Sequence, residues 1–176
     1  MRIINCYPVK IFFFFIFMIS LFSCNSKTVD QGFYHENFDN MKWWTSNSQT
    51  TSEQAHSGSF SSFTDSTNEY SETFEMDLAF AKKKKYRKAQ ITAWCFKPVQ
   101  QTKVTLVASV EAPDSRLTVQ SLELGSALEV SNTWINLILF LYLPDEAPAG
   151  TKIKVYLHSP EGEKAFIDDV EIRFMK

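Results

Sequence analysis

Thr133-Trp134-Ile135-Asn136-Leu137-Ile138-Leu139-Phe140-Leu141-Tyr142-Leu143 decides the fold. In an extended chain successive side chains point to opposite sides. Ile135, Leu137, Leu139, Leu141 and Leu143 therefore share one face, and Trp134, Asn136, Ile138, Phe140 and Tyr142 share the other. The aliphatic face predicts a core, the mixed face a surface. The same period of two recurs in Tyr70 to Leu78, Gln90 to Lys97, Lys103 to Glu111, Leu117 to Leu124, Lys152 to His158 and Ala165 to Phe174, which predicts strands. Between them lie Lys82-Lys83-Lys84-Lys85, Pro98, Pro113-Asp114, Gly125, Pro144 to Gly150 and Pro160-Glu161-Gly162, residues that favour turns. No amphipathic run is long enough to predict a helix. Seven or more short strands at this spacing imply an all-β fold, a two-sheet antiparallel β-sandwich or jelly roll.

The first two dozen residues read differently. Arg2 and Lys10 precede an unbroken apolar run from Ile11 to Ile19, followed by Leu21-Phe22-Ser23-Cys24. A permanent membrane helix needs about 20 apolar residues, whereas a basic start, a short apolar middle and a small-residue exit mark a secretory signal. Leu-Phe-Ser-Cys resembles the lipobox of bacterial lipoproteins, which implies a signal peptide over 1–23 and a mature chain starting at a lipidated (palmitate-bearing) Cys24. The alternative is a membrane anchor that is never removed. Asn25 is not the aspartate that holds some lipoproteins at the inner membrane, so the resemblance implies an outer-membrane lipoprotein of the cell envelope, periplasmic or surface-facing. Residues 24–32 read as a tether, its stretch from Asn25 to Gln31 spanning at most roughly 25 Å, and 33–176 as the folded domain.

About 150 residues beyond the signal suit one domain. Subtracting Arg2 and Lys10 from 18 basic residues leaves 16 against 20 acidic ones, a net charge of −4, which speaks against nucleic acid as a partner. Of three cysteines, Cys6 lies in the signal and Cys24 is taken by lipid. Cys95, between Trp94 and Phe96, has no partner and reads as a small buried hydrophobe. No disulfide is expected.

Three landmarks carry a further resemblance: Asn37-Phe38-Asp39 followed by Trp43-Trp44, then Ala55-His56-Ser57-Gly58-Ser59, then Phe166-Ile167-Asp168-Asp169-Val170-Glu171-Ile172. In this order and separation they resemble the opening strand, small-residue loop and closing strand of bacterial carbohydrate-binding modules of the galactose-binding-like jelly-roll type. That resemblance implies a structural calcium, with Asp39 and Asp168 as carboxylate ligands and carbonyls near Asn37, His56 and Ser59 completing the shell. Alternation from Val170, Ile172 and Phe174 places Asp168 inward and Asp169 outward. An inward carboxylate is costly unless paired or metal-bound, and calcium suits it; a hydrogen-bonded aspartate at the sheet edge is the alternative.

A ligand surface is expected where aromatic side chains face outward. Ile91, Ala93 and Cys95 point inward, so Trp94 and Phe96 emerge opposite, beside Phe140 and Tyr142, with Lys97, Thr105, Ser109 and Glu111 as polar neighbours. Sugar rings stack apolar faces on aromatic rings while their hydroxyls need hydrogen-bond partners, so Trp94, Phe96, Phe140, Tyr142 and Glu111 are the candidate residues for a poly- or oligosaccharide. Strands also favour aromatics for packing alone. The basic run Lys82 to Lys88 reads as a solvated turn that discourages strand aggregation, or as contact with anionic lipid or polysaccharide.

Catalysis is not expected. His35, His56 and His158 lack a nucleophile, no phosphate loop is present, and Asp168 and Asp169 as strand neighbours should face opposite ways and so cannot flank one glycosidic bond. The expectation is a non-catalytic, lipid-anchored glycan binder. The alternative is an interaction module that buries its aromatic face in another envelope protein.

Overall fold

A computed structural model describes residues 32–40 and 49–176. The signal segment, Cys24 and the pair Trp43-Trp44 lie outside the described residues. No helix among the described residues is long and apolar enough to cross a membrane.

Among the described residues ten strands form two antiparallel sheets. They are β1 (Phe33–Glu36), β2 (Thr50–Thr51), β3 (Ser61–Thr64), β4 (Phe74–Asp77), β5 (Lys88–Phe96), β6 (Thr105–Ala112), β7 (Ser115–Glu123), β8 (Ile135–Tyr142), β9 (Lys152–His158) and β10 (Ala165–Met175). The six-stranded sheet runs β2-β3-β10-β5-β8, with β1 also pairing β10; the four-stranded sheet runs β4-β9-β6-β7. The described residues also include two short helices, α1 (Leu78–Lys83) and α2 (Leu124–Ala127).

The alternation of the sequence sets what each strand buries. Leu137, Leu139 and Leu141 of β8, Ala89, Ile91, Ala93 and Cys95 of β5, and Ala165, Ile167, Val170, Ile172 and Phe174 of β10 face Leu106, Ala108 and Val110 of β6 and Ile153, Val155 and Leu157 of β9. Burial of so many side chains, the larger aliphatic and aromatic ones each worth roughly 1.5–3 kcal/mol, holds the sheets together, and among the described residues the one cysteine, Cys95, is free. Cys95 is fully buried, and burial pushes its thiol well above the usual range, so it is inert packing.

Two local features depart from the expected strands. Of the expected strand from Tyr70 to Leu78 only Phe74–Asp77 forms β4, Tyr70 meeting the sheet through an isolated bridge to His158, and Leu78 already begins α1. Asp77 starts that helix by accepting the amide of Ala79 at 2.8 Å, a side-chain cap that suits aspartate. Lys85 then adopts φ 62°, turning the chain into β5. The second feature is a bulge in β10. Asp168 pairs with Trp94 and Glu171 with Thr92, so two residues of β10, Asp169 and Val170, lie opposite the single Ala93 of β5 and one is extra. Asp169 takes φ 44° there.

Candidate functional site

The bulge reverses the expected direction of Asp168. Counting back from Val170 crosses the extra residue, so Asp168 lies with Phe166 on the outer face, level with outward-facing Trp94. It is nonetheless fully buried, because the 55–59 loop covers it. Asp168 Oδ2 accepts the amides of His56 at 2.7 Å and Ser57 at 3.1 Å, and Oδ1 accepts the amide of Asp169 at 2.7 Å. Asp169 accepts the Ser57 hydroxyl at 2.7 Å and meets His56 Nδ1 at 2.5 Å, with His35 Nε2 at 3.6 Å. Both carboxylates therefore address one loop, contrary to the expectation that they diverge, and both are occupied in holding it.

Asp39 clamps the other end of that loop. Its Oδ1 accepts the amides of Ser59 at 2.9 Å and Phe60 at 3.1 Å, while Asn37 accepts the amide of Asp39 at 3.3 Å and donates to its Oδ2 at 3.4 Å. Gly58 has φ +61°, and a Cβ there would lie 1.8 Å from Asp39 Oδ2, so only glycine lets the loop sit this close. Opening strand, small-residue loop and closing strand are thus joined. As arranged, Asp39 and Asp168, the carboxylates expected to ligate calcium together with Asn37, His56 and Ser59, both hold loop amides. The carboxylate oxygens face N–H donors, and no group of three or more acidic, histidine or cysteine side chains among the described residues is placed to share an ion. Burial pushes Asp168 up to about 6, against the lowering effect of the Ser57, Asp169 and His56 amides and with the Asp169 charge adding to the rise.

The expected aromatic groove is divided among three places. Trp94 is covered by His56, whose ring stacks on it at 3.9 Å and 16°, with Trp134 edge-on to His56 at 5.8 Å. Phe96 is only 6 % exposed, packed on Trp134 and Phe166. Phe140 and Tyr142 are exposed, but they pair with Gln90 and Lys88, four and six residues along β5 from Trp94. Glu111 lies on the outer face of the other sheet, because its neighbours Ala108 and Val110 alternate into the core. Thr105 and Ser109 go with it. Lys97 is fully buried, its ammonium donating to the carbonyls of Gln100 at 2.6 Å and Gly125 at 3.2 Å. Alternation tells which residues leave the core; it does not tell which sheet they leave from.

Glu111 instead belongs to a cleft of about 400 Å³ on the four-stranded sheet, lined by Tyr70, Tyr156, Arg116 and Lys154 among others. Strand β9 sends Lys154, Tyr156 and His158 outward, while a bulge in the β6–β7 pairing sets Arg116 opposite Glu111. Glu111 accepts from Ser109 at 2.9 Å and pairs with Arg116 at 3.1 Å and Lys154 at 3.1 Å. Burial alone would raise its pKa; hydrogen bonds from Ser109 and Lys154 and the charges of Lys154 and Arg116 outweigh it and hold the carboxyl below the usual range. Arg116 also donates to the Tyr156 hydroxyl at 3.2 Å. Burial raises the Tyr156 phenol, and the Glu111 charge raises it further.

At the other end Tyr70 closes the cleft. Its ring stacks on His158 at 4.7 Å and 10° and stands edge-on to Tyr156 at 5.6 Å, and Glu69 holds the His158 ring at 2.9 Å. Tyr70 remains 44 % exposed, so an aromatic face and fixed charged groups meet in one open depression. A larger hollow of about 450 Å³, lined by Thr102, Lys103, Glu123 and Glu163 among others, has no aromatic wall. Tyr70, Tyr156, Arg116 and Lys154 were not among the expected site residues. The alternation Lys154, Tyr156, His158 was a signal for three cleft neighbours; the proximity of Tyr70 and the bulge at Arg116 had none.

The C-terminal family 22 carbohydrate-binding module of Clostridium thermocellum Xyn10B superposes with a TM-score of 0.54 at 13 % identity, covering 82 % of this chain and 94 % of that one. Its fold is that of the family 22 modules. The CBM22-1 and CBM22-2 xylan-binding domains of Paenibacillus barcinonensis Xyn10C each give 0.50, at 18 % and 15 % identity, covering 81 % of this chain and 94 % and 99 % of theirs. No family model matches the chain, and no curated protein does. The likeness to the family 22 modules is therefore one of fold.

Proposed function

We propose that the chain is a non-catalytic, lipid-anchored envelope protein that binds a poly- or oligosaccharide in the cleft of the four-stranded sheet. The observation that carries this reading is the meeting of Tyr70 with the Glu111–Arg116–Lys154 network in one open hollow. An exposed ring provides the flat apolar surface a pyranose needs, and charged groups already held by neighbours present hydrogen-bonding atoms at little ordering cost. The fold of carbohydrate-binding modules supports the reading. Xylan is the first polymer to try, because the Paenibacillus modules are xylan-binding domains. Lipid at Cys24 and an outer-membrane position rest on the lipobox resemblance.

Affinity electrophoresis or calorimetry of the purified protein against soluble xylan, mixed-linkage glucan and galactan tests this. Retarded migration with at least one polymer, lost in Tyr70→Ala, is expected; absence of binding to a broad glycan panel would overturn it. A second reading has its own observation. Ile138, Phe140 and Tyr142 are 45–62 % exposed on β8, the last strand of its sheet, a surface suited to docking another envelope protein.

A further inference from the structure

We propose that the Lys82–Lys88 end of the sandwich faces the membrane and docks on anionic lipid headgroups, adding an electrostatic contact to the anchor; the inference rests on the reading of Cys24 as lipidated. The chain enters the domain at this end. A Cβ on Gly32 would lie 2.6 Å from the Tyr86 hydroxyl, and the Gly32 carbonyl accepts the Phe174 amide at 2.7 Å. The first described residue is therefore seated in the middle of the basic run. Cys24 precedes Gly32 by eight residues, a reach of at most about 28 Å, so a lipid there keeps Gly32, and with it the Tyr86 ring at the centre of the basic run, near the bilayer.

The charges suit such a partner. Lys83, Lys85 and Arg87 are exposed, and no carboxylate among the described residues pairs with Lys83, Lys85 or Lys88. Arg87 pairs with Asp145 at 3.2 Å in full solvent contact, a contact that competes weakly with a surface of many phosphates. Lys82, Lys85, Arg87 and Pro144 line a hollow of about 260 Å³. Phe80 on α1 carries the Lys84 ammonium 5.9 Å from its ring centre, an aromatic among lysines as interfacial segments use. Each lysine near an anionic leaflet multiplies attachment about fivefold, within a Debye length.

The test uses the full chain offered from detergent to vesicles of phosphatidylcholine alone or with roughly a third phosphatidylglycerol, at about 50 and 500 mM salt. An acyl chain or an apolar leader attaches to both vesicles alike, so the ratio between them reads the patch. A preference of at least about tenfold for anionic vesicles at low salt is expected, collapsing at high salt. It should vanish in Lys83→Gln/Lys85→Gln/Lys88→Gln, which should melt like the parent. Equal partition, or a preference the triple variant keeps, overturns the proposal. So does lysine-dependent binding to soluble alginate without vesicle preference, which would mark a polyanionic glycan instead. Mass analysis of the N-terminal peptide separates the premise: unmodified Cys24 beside an intact vesicle preference overturns the anchor and leaves the patch standing.

Discussion

The two outer faces of the sandwich carry similar raw material and end differently. On the six-stranded sheet, Trp94 is roofed by the 55–59 loop, whose amides are clamped by Asp39 and Asp168, and Phe96 is packed on Trp134 and Phe166. On the four-stranded sheet Tyr156 is buried too, but Tyr70 is left 44 % exposed among the described residues, and the polar atoms of Glu111 and Tyr156 are satisfied sideways by Arg116 and Lys154. A covered aromatic contributes stability and an uncovered one offers a surface. What separates them is the third layer of chain above the sheet, held by two aspartates.

The comparison breaks most sharply on one pair of substitutions. Trp94→Ala removes the ring on which His56 stacks, and loss of a packed tryptophan costs about 4 kcal/mol, a melting drop on the order of 10 °C for a domain of this size. Affinity for glycan should stay unchanged. Tyr70→Ala should do the reverse, lowering affinity about 30-fold while shifting the melt by only a few degrees. Loss of binding in Trp94→Ala with Tyr70→Ala unaffected would exchange the roles of the two faces.

Gly58→Ala tests the roof itself. The added methyl collides with Asp39 Oδ2, and the left-handed backbone is strained for alanine. Together with the weakened Asp39 hydrogen bonds, a cost of about 3 kcal/mol follows, read by thermal melting. Trp94 fluorescence should shift to the red as solvent reaches the ring. Unchanged melting and emission would mean that the loop does not depend on this close approach.

These residues also mark where reading the sequence stopped working. The core faces of β5, β8, β9 and β10 followed from period-two alternation, because a strand buried on one side has few ways to satisfy it. The strand spans from Lys152 to His158 and from Ala165 onward match the observed ones closely. Asp168 went astray because one inserted residue with positive φ at Asp169 switches the phase. Aspartate tolerates that conformation, but nothing in Ile167-Asp168-Asp169-Val170 announces it. Glu111 was correctly outward and assigned to the wrong sheet, since strand order is a property of long-range pairing. The landmarks Asp39, Ser57-Gly58-Ser59 and Asp168 did meet, through amide hydrogen bonds.

Acidity sharpens the role of the buried aspartate by a smaller amount. The Asp168 carboxyl ordinarily titrates at 3.8 and is raised by burial to about 6 in the folded chain. Between those values the folded state holds a proton that the unfolded state has released, so stability rises as pH falls through 6 and is complete below 3.8. From pH 7 to pH 5 the gain is about 1 kcal/mol. Asp169, His56 and His35 face the same cluster, so the contribution is isolated by comparing slopes with Asp168→Asn. A parent and variant with identical pH profiles would show that the carboxyl stays ionised throughout.

Calcium should have the smallest effect of all. To coordinate a cation, Asp39 would have to release the Ser59 and Phe60 amides, and Asp168 those of His56 and Ser57, each exchange costing a charge-assisted hydrogen bond of about 1.5–3 kcal/mol. Millimolar calcium is therefore expected to leave the melting temperature of the parent within about a degree, and a chelator to leave it unchanged. A rise of several degrees that is abolished in Asp39→Asn would show that the loop re-seats its amides to open both carboxylates. The roof over Trp94 would then be held by an ion as well as by hydrogen bonds, and the contrast between the two faces would depend on calcium supply.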